Sequence, residues 1–204
     1  LDYKSGAQLI LNQHLEQDVI NTRGKAYGLE FLFKKPVGKL NGWLSYTYLR
    51  SFLQIDDPIA GQTINGGNFY PSNYDKPNIA SLVANYKFTQ RFSFSMTMSY
   101  STGRPITYPV GLFTMGGQQR VYFSDRNAYR IPDFFRTDFS FILENNHKVT
   151  QKFHTSWSLG IYNVTGRDNP YSVYFIVNDN LIKGYQLSVF TVPIPFLTFN
   201  LKYK

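Results

Sequence analysis

The chain has 204 residues, 21 Lys and Arg against 13 Asp and Glu, and a formal charge of +8, with 16 Tyr, 18 Phe and no Cys. An aromatic share of 18% excludes an intrinsically disordered chain, and no run approaches the roughly 20 apolar residues of a membrane-spanning helix. The lack of Cys excludes a disulfide framework, a thiolate zinc site and a cysteine nucleophile.

The chain opens at Leu1 with neither an initiating Met nor a charged-then-apolar leader, so a processed, truncated or fragmentary polypeptide is expected. A weak strand is expected around Ala7–Gln13. From there the apolar residues fall on a period of two, which places one kind of side chain on each face of an extended strand. Tyr27, Leu29, Phe31 and Phe33 alternate with Gly28, Glu30 and Leu32, and Leu44, Tyr46 and Tyr48 alternate with Ser45 and Thr47. Ala80, Leu82, Ala84, Tyr86 and Phe88 follow, and Phe92 to Ser101 alternates large apolar with small hydroxyl residues throughout. Phe135 to Leu143, Phe153 to Ile161 and Leu197 to Tyr203 repeat the pattern. About eight strands result.

The connections alternate in length. Lys35–Lys39, Thr89–Arg91 and Asn145–Gln151 are short, whereas Phe52–Pro77, Gly103–Pro132 and Asn163–Pro193 are long, the last with strand of its own. That asymmetry predicts an antiparallel up-and-down meander with its short turns at one end, as in outer-membrane barrels with short periplasmic turns and longer outer loops. Lys34, Lys35 and Lys39 then fall at the periplasmic end, facing headgroups or water.

The second face of each strand is mostly Ser, Thr, Asn and Gly rather than the Lys, Glu and Asp of a soluble sandwich. Tyr48, Phe88, Phe92, Tyr100, Phe153 and Tyr203 sit near strand ends, as interfacial aromatic girdles do. An all-β transmembrane barrel wall is therefore expected, ahead of a soluble β-sandwich. Rows of Ser and Thr do not fill the narrow core of a small closed barrel; they suit the wall of a wide polar lumen, so the strands read as one arc of a larger barrel.

Residues that carry chemistry are few. His14 with Glu16 and Asp18 is the one arrangement resembling a positioned histidine–carboxylate pair, and a solvated loop is the simpler reading, so no catalytic residue is assigned. His147 and His154 read as turn and wall residues. Asp56, Asp57 and Asp125 supply too few oxygens for calcium, so neither metal nor cofactor is expected. Asn163-Val164-Thr165 fits the glycosylation pattern but reads as accidental. A nucleic-acid partner is not expected, because the aromatics share their face with Leu, Ile and Met while Lys and Arg fall in turns. In loop 103–132, Arg104, Arg120, Arg126 and Arg130 outnumber Asp125. Arginine forks suit phosphate and carboxylate, so lipopolysaccharide contact or an anionic ligand would follow there.

Several short pieces run in order along nearly the whole chain: Gly24-Lys25-Ala26-Tyr27-Gly28-Leu29-Glu30, Leu40-Asn41-Gly42-Trp43-Leu44-Ser45-Tyr46-Thr47, and Phe69-Tyr70-Pro71-Ser72-Asn73-Tyr74-Asp75-Lys76-Pro77. Thr102-Gly103-Arg104-Pro105-Ile106-Thr107-Tyr108-Pro109 and Asn127-Ala128-Tyr129-Arg130-Ile131-Pro132 come next. Arg136-Thr137-Asp138, Tyr162-Asn163-Val164 and Asn169-Pro170-Tyr171-Ser172-Val173 complete the series. In this ordered set the chain resembles the C-terminal end of a TonB-dependent outer-membrane receptor of the Bacteroidota type. The resemblance implies a barrel of about 22 strands occluded by a plug, of which this single segment, residues 1–204, supplies about the last eight. It also implies uptake of a bulky nutrient (glycan, peptide, siderophore or other metal chelate). The implied partners are outer-membrane lipid and lipopolysaccharide, the remainder of the receptor, the TonB system and a possible surface lipoprotein. Two departures stand out: the plug and earlier strands are absent, and the chain ends Tyr203-Lys204 rather than on an aromatic residue. Tyr70, Tyr74, Arg104, Tyr108, Arg126 and Arg130 are the expected ligand-side positions. A self-contained small outer-membrane barrel with a structural or adhesin role, and a soluble β-sandwich binding module, are the alternatives.

Overall fold

The structure is a computed structural model that describes residues 2–3, 19–57, 61–145, 152–178, 181–189 and 191–203. The strand expected at Ala7–Gln13, the His14 group and His147 lie outside the described residues.

Strands β1 (Asp2–Tyr3) and β2 (Val19–Ile20) pair with each other ahead of β3 (Arg23–Lys35) and β4 (Leu40–Gln54). The loop after β4 carries β5 (Asp56–Asp57), β6 (Gln62–Thr63), a 3-10 turn at Asn65–Gly67 and β7 (Tyr70–Pro71). β8 (Asn78–Lys87) and β9 (Phe92–Ser101) form the next hairpin. The following loop holds β10 (Pro105–Ile106), β11 (Pro109–Met115), β12 (Gln118–Phe123) and β13 (Tyr129–Arg130). Then come β14 (Phe134–Glu144), β15 (Phe153–Tyr162), β16 (Pro170–Asn178), β17 (Leu181–Ser188) and β18 (Ile194–Tyr203). Among the described residues no helix is long and apolar enough to cross a membrane, which says nothing of strands.

One antiparallel sheet runs β18-β15-β14-β9-β8-β4-β3, with β7 added against β4. The expected meander is present: short turns join β3 to β4, β8 to β9 and β14 to β15, and all three long loops leave from the opposite end. The path ends at β3 and β18, which do not pair with each other. In loop 103–132 the structure adds a hairpin that the sequence reading did not resolve. β10 pairs with β13 as a stalk, and β11 pairs with β12 across Gly116 and Gly117. Both tip glycines have positive φ (61° and 75°), which glycine adopts without strain.

Register follows from the alternation, since a one-residue slip would exchange the two faces of a strand. Met96 stands opposite Ala84 and Phe139, while Ser95 stands opposite Asn85 and Ser140. Across the sheet one face therefore gathers most of the Phe, Leu, Met and Tyr, and the other carries the Ser, Thr and Asn rows, with Trp43, Val83, Ile142 and Phe196 set among them. The apolar face is uncovered: Leu29 is 63% exposed, Phe33 69%, Leu159 59% and Leu197 65%. At the turn end the Tyr86, Phe88, Phe92 and Phe141 rings contact in sequence, with centroids 5.0, 5.3 and 5.8 Å apart. Trp157–Phe199 at 4.7 Å and Phe153–Tyr203 at 5.4 Å continue the aromatic band on β15 and β18.

No second layer packs on the sheet among the described residues. The buried cluster instead sits at the loop end, where Ile20, Ile55 and Tyr70 meet Leu53 and Ile64. On the polar face Gly160 lies under the Phe196 ring, which itself stacks on Tyr162 at 4.3 Å.

Candidate functional site

The functional candidates all lie at the loop end, where three loops are tied to the rim of the sheet and to one another. Asp75 is the hub. It is wholly buried, it accepts the Ser51 amide at 2.7 Å and Arg50 Nε at 3.2 Å, and its second oxygen pairs with Arg130 Nη2. Arg130 Nη1 also donates to the Asp75 carbonyl (2.6 Å) and the Gly103 carbonyl (2.9 Å). One carboxylate thus joins β4, the loop after β7 and the base of the β10–β13 stalk.

Asparagine side chains make the remaining ties, since each offers a donor and an acceptor. Asn65 clasps the Arg126 backbone, donating to its carbonyl at 2.9 Å and accepting its amide at 2.8 Å. Asn127 donates to the Pro71 carbonyl (2.8 Å) and to Asn73 Oδ1 (2.9 Å). Asn169 Oδ1 accepts the Phe135 amide at 2.9 Å. Asn65, Asn127 and Asn163 all take positive φ, at 52°, 57° and 51°, a conformation asparagine tolerates better than most residues.

At the start of β14, Arg136 and Asp138 form a two-point ion pair, Nε–Oδ1 and Nη2–Oδ2 both at 2.8 Å, and the guanidinium lies 5.2 Å over the Tyr162 ring. Asp138 also accepts the Asn163 amide at 2.8 Å. Asn163 is fully buried and donates to the Arg167 carbonyl at 3.1 Å. The glycosylation-like triplet is thus a structural turn whose amide is enclosed. Nearby, Asp133 accepts the Tyr100 hydroxyl (2.6 Å) and the Gly103 amide (2.9 Å). The Tyr100 bond first, then the Gly103 bond, hold its carboxyl below the ordinary value of 3.8 against the opposing effect of burial, and the charges of Arg167 and Arg130 add to the lowering.

Between loops 103–132 and 163–193 the polar side of the sheet opens into a cleft of about 850 Å³, lined among others by Lys76, Arg104, Phe134, Arg136, Asn169 and Tyr171. None of its described lining residues is acidic. A neighbouring cleft of about 620 Å³ shares Arg104 and includes Arg126 and Phe175.

No protein-family model, curated protein or solved structure matches this chain.

The six positions singled out from the sequence divide clearly. Tyr70 is 2% exposed and belongs to the buried cluster, so its ring serves the fold. Arg130 is committed to Asp75, and Arg126 is held through its backbone by Asn65. Tyr74 is 79% exposed at its loop. Tyr108 packs on Tyr129 and Phe175, with centroids 5.5 and 5.0 Å away, beside a smaller cleft of about 350 Å³. Arg104 alone of the six lines the 850 Å³ cleft. The sequence reading quoted Lys76, Arg136 and Asp75 among the pieces that carry the resemblance but chose none of them as a site residue. Arg136 and Asp138 carried a usable signal, being charged residues that face a β9 row made only of Ser and Thr. Among the described residues no three His, Asp or Glu side chains are grouped as a metal site requires.

Proposed function

We propose that this chain is the C-terminal arc of the barrel wall of a TonB-dependent outer-membrane receptor, one that imports a bulky nutrient such as a glycan, peptide, siderophore or other metal chelate. The observation that carries this reading is the uncovered apolar face. Monomeric soluble proteins expose contiguous apolar patches of at most a few hundred Å², whereas here Leu, Phe and Ile line one face of every long strand. β8, β9, β15 and β18 are each 10 residues long, which suits a tilted crossing of about 9–11 residues. Aromatic bands and a Ser- and Thr-rich opposite face support the same reading. The open path from β3 to β18 leaves an edge at either side for further wall strands.

On this reading the loop end captures ligand outside the cell, the polar face forms the lumen, and a plug elsewhere in the receptor moves when TonB supplies energy. The residues of this chain act as wall and capture surface. Fractionation of the source cells provides the test. Recovery from the outer-membrane fraction, as a heat-modifiable polypeptide much longer than 204 residues, is the expected result. Recovery from the soluble fraction would refute membrane residence. A 204-residue species standing alone in the membrane would refute the larger receptor.

A further inference from the structure

We infer that the cleft lined by Lys76, Arg104 and Arg136 is a capture site for the anionic group of a soluble cargo: a carboxylate, sulfate or phosphate. The inference rests on the receptor reading for the word cargo and for which face of the sheet meets lipid.

The charge balance of the loop end leads to it. Each carboxylate tied to the rim is already answered: Asp75 by Arg50 and Arg130, Asp138 by Arg136, and Asp133 by a hydroxyl and an amide. Arg104 and Lys76, both half-buried, make no side-chain hydrogen bond or ion pair to a described residue. Two unanswered cations thus line one cleft with a third whose charge is neutralised in place, and none of the described residues beside them is acidic. Partial burial strengthens their attraction for an anion, because the local dielectric is lower than that of water. Arg104 presents a planar fork suited to two oxygens of one group, and Lys76 adds a point charge. Phe134 and Tyr171 give the same cleft apolar surface for the remainder of the solute.

The geometry also selects the source of the anion. Ser101, Phe134 and Arg136, which line the cleft, lie on the polar face of the sheet, as the register of β9 and β14 requires. The lipid-facing side is the opposite one, so phosphates of lipopolysaccharide beside the apolar face are separated from the cleft by the sheet itself. Gly103 fixes the position of Arg104. A Cβ there would collide with the Ile131 carbonyl, so the backbone passes close enough for Arg130 to hold the Gly103 carbonyl.

The experiment is equilibrium dialysis of radiolabelled inorganic sulfate against the purified full-length protein in detergent, free of lipopolysaccharide. One saturable site, competed by inorganic phosphate and by acetate but not by lactose, is expected. Arg104→Gln should weaken sulfate binding about tenfold, the loss of one charge-assisted pair, and Arg104→Lys should retain part of it. Lys87→Gln, at the turn end, should leave binding unchanged, with heat-modifiable migration on gels confirming that each variant is folded. Absence of saturable sulfate binding by folded protein, or equal binding by wild type and the Arg104→Gln, Lys76→Gln double variant, would overturn the site. Displacement of sulfate by added lipopolysaccharide would overturn its assignment to a soluble solute. Failure of binding leaves membrane residence standing, and a soluble protein would remove the receptor reading whatever the dialysis gave.

Discussion

Replacing Asp75 by alanine removes three links at once. The Ser51 amide at 2.7 Å loses its acceptor, and Arg50 and Arg130 lose their counter-charge. A hydrogen bond to a charged group contributes about 1.5–3 kcal/mol when its partner stays buried. The side chains of Arg50 and Arg130 are 25% and 28% exposed, so water recovers part of their solvation, and each link is discounted to roughly 0.5–1 kcal/mol. The sum is about 3 kcal/mol for Asp75→Ala. Asp75→Asn keeps one carbonyl oxygen for the Ser51 amide and should cost about half as much. The damage should be local: pairing of β4 with β8 does not depend on this carboxylate, whereas segments 70–77 and 129–131 do. Chemical unfolding in detergent gives the magnitude, and amide exchange gives the location. If both variants stay within about 0.5 kcal/mol of wild type, with Ser51 exchange unchanged, Asp75 is not the hub described.

Leu159→Arg distinguishes lipid from water: a side chain 59% exposed to water should tolerate it, whereas near the bilayer midplane it should cost about 2–4 kcal/mol, measured by folding into vesicles, with Ser158→Arg on the polar face as the tolerated control. Gly160→Ala drives a methyl into the Phe139 carbonyl and the Phe196 ring, and overpacking of this kind costs about 1–3 kcal/mol; a Gly160→Ala, Phe196→Leu double variant should recover part of it in the same folding assay. The Asp133 carboxyl titrates below its ordinary 3.8 in the folded protein, so its ties to Tyr100 and Gly103 stabilise fully above that pH and are lost as pH falls through the lowered value. Gly103 amide exchange should accelerate in that acid window in wild type and lose this pH dependence in Asp133→Asn.

The sheet was legible in the sequence because a period of two carries its own geometry. β9 and β14 follow directly from Phe92–Ser101 and Phe135–Leu143, and the unequal connections gave the meander. The loop end was far less legible. Tyr70 and Arg130 resemble ligand-side residues by composition, yet one is buried among Ile20 and Ile55 and the other serves Asp75. What decides between those roles is contact between separated parts of the chain, across 55 positions for Arg130 and Asp75 and with Ile20 and Ile55 for Tyr70, and no local pattern encodes it. The hairpin of β11 and β12 was hidden for a related reason: Pro109–Phe123 lacks clean alternation, and its register shifts between Pro109 and Gly111. The short pieces that carried the resemblance turn out to supply many of the ties, among them Asp75, Asn127, Asp138, Asn163 and Asn169.

The backbones of β11 with β12 and of β16 with β17 pair only within each hairpin, and β15 joins β18 directly across the gap the second hairpin spans. Each hairpin is therefore an interchangeable fitting on a fixed frame. It can be lengthened, recoded or exchanged without renegotiating a single rung of the main sheet's ladder, so selection can alter what the loop end presents while the sheet stays as it is.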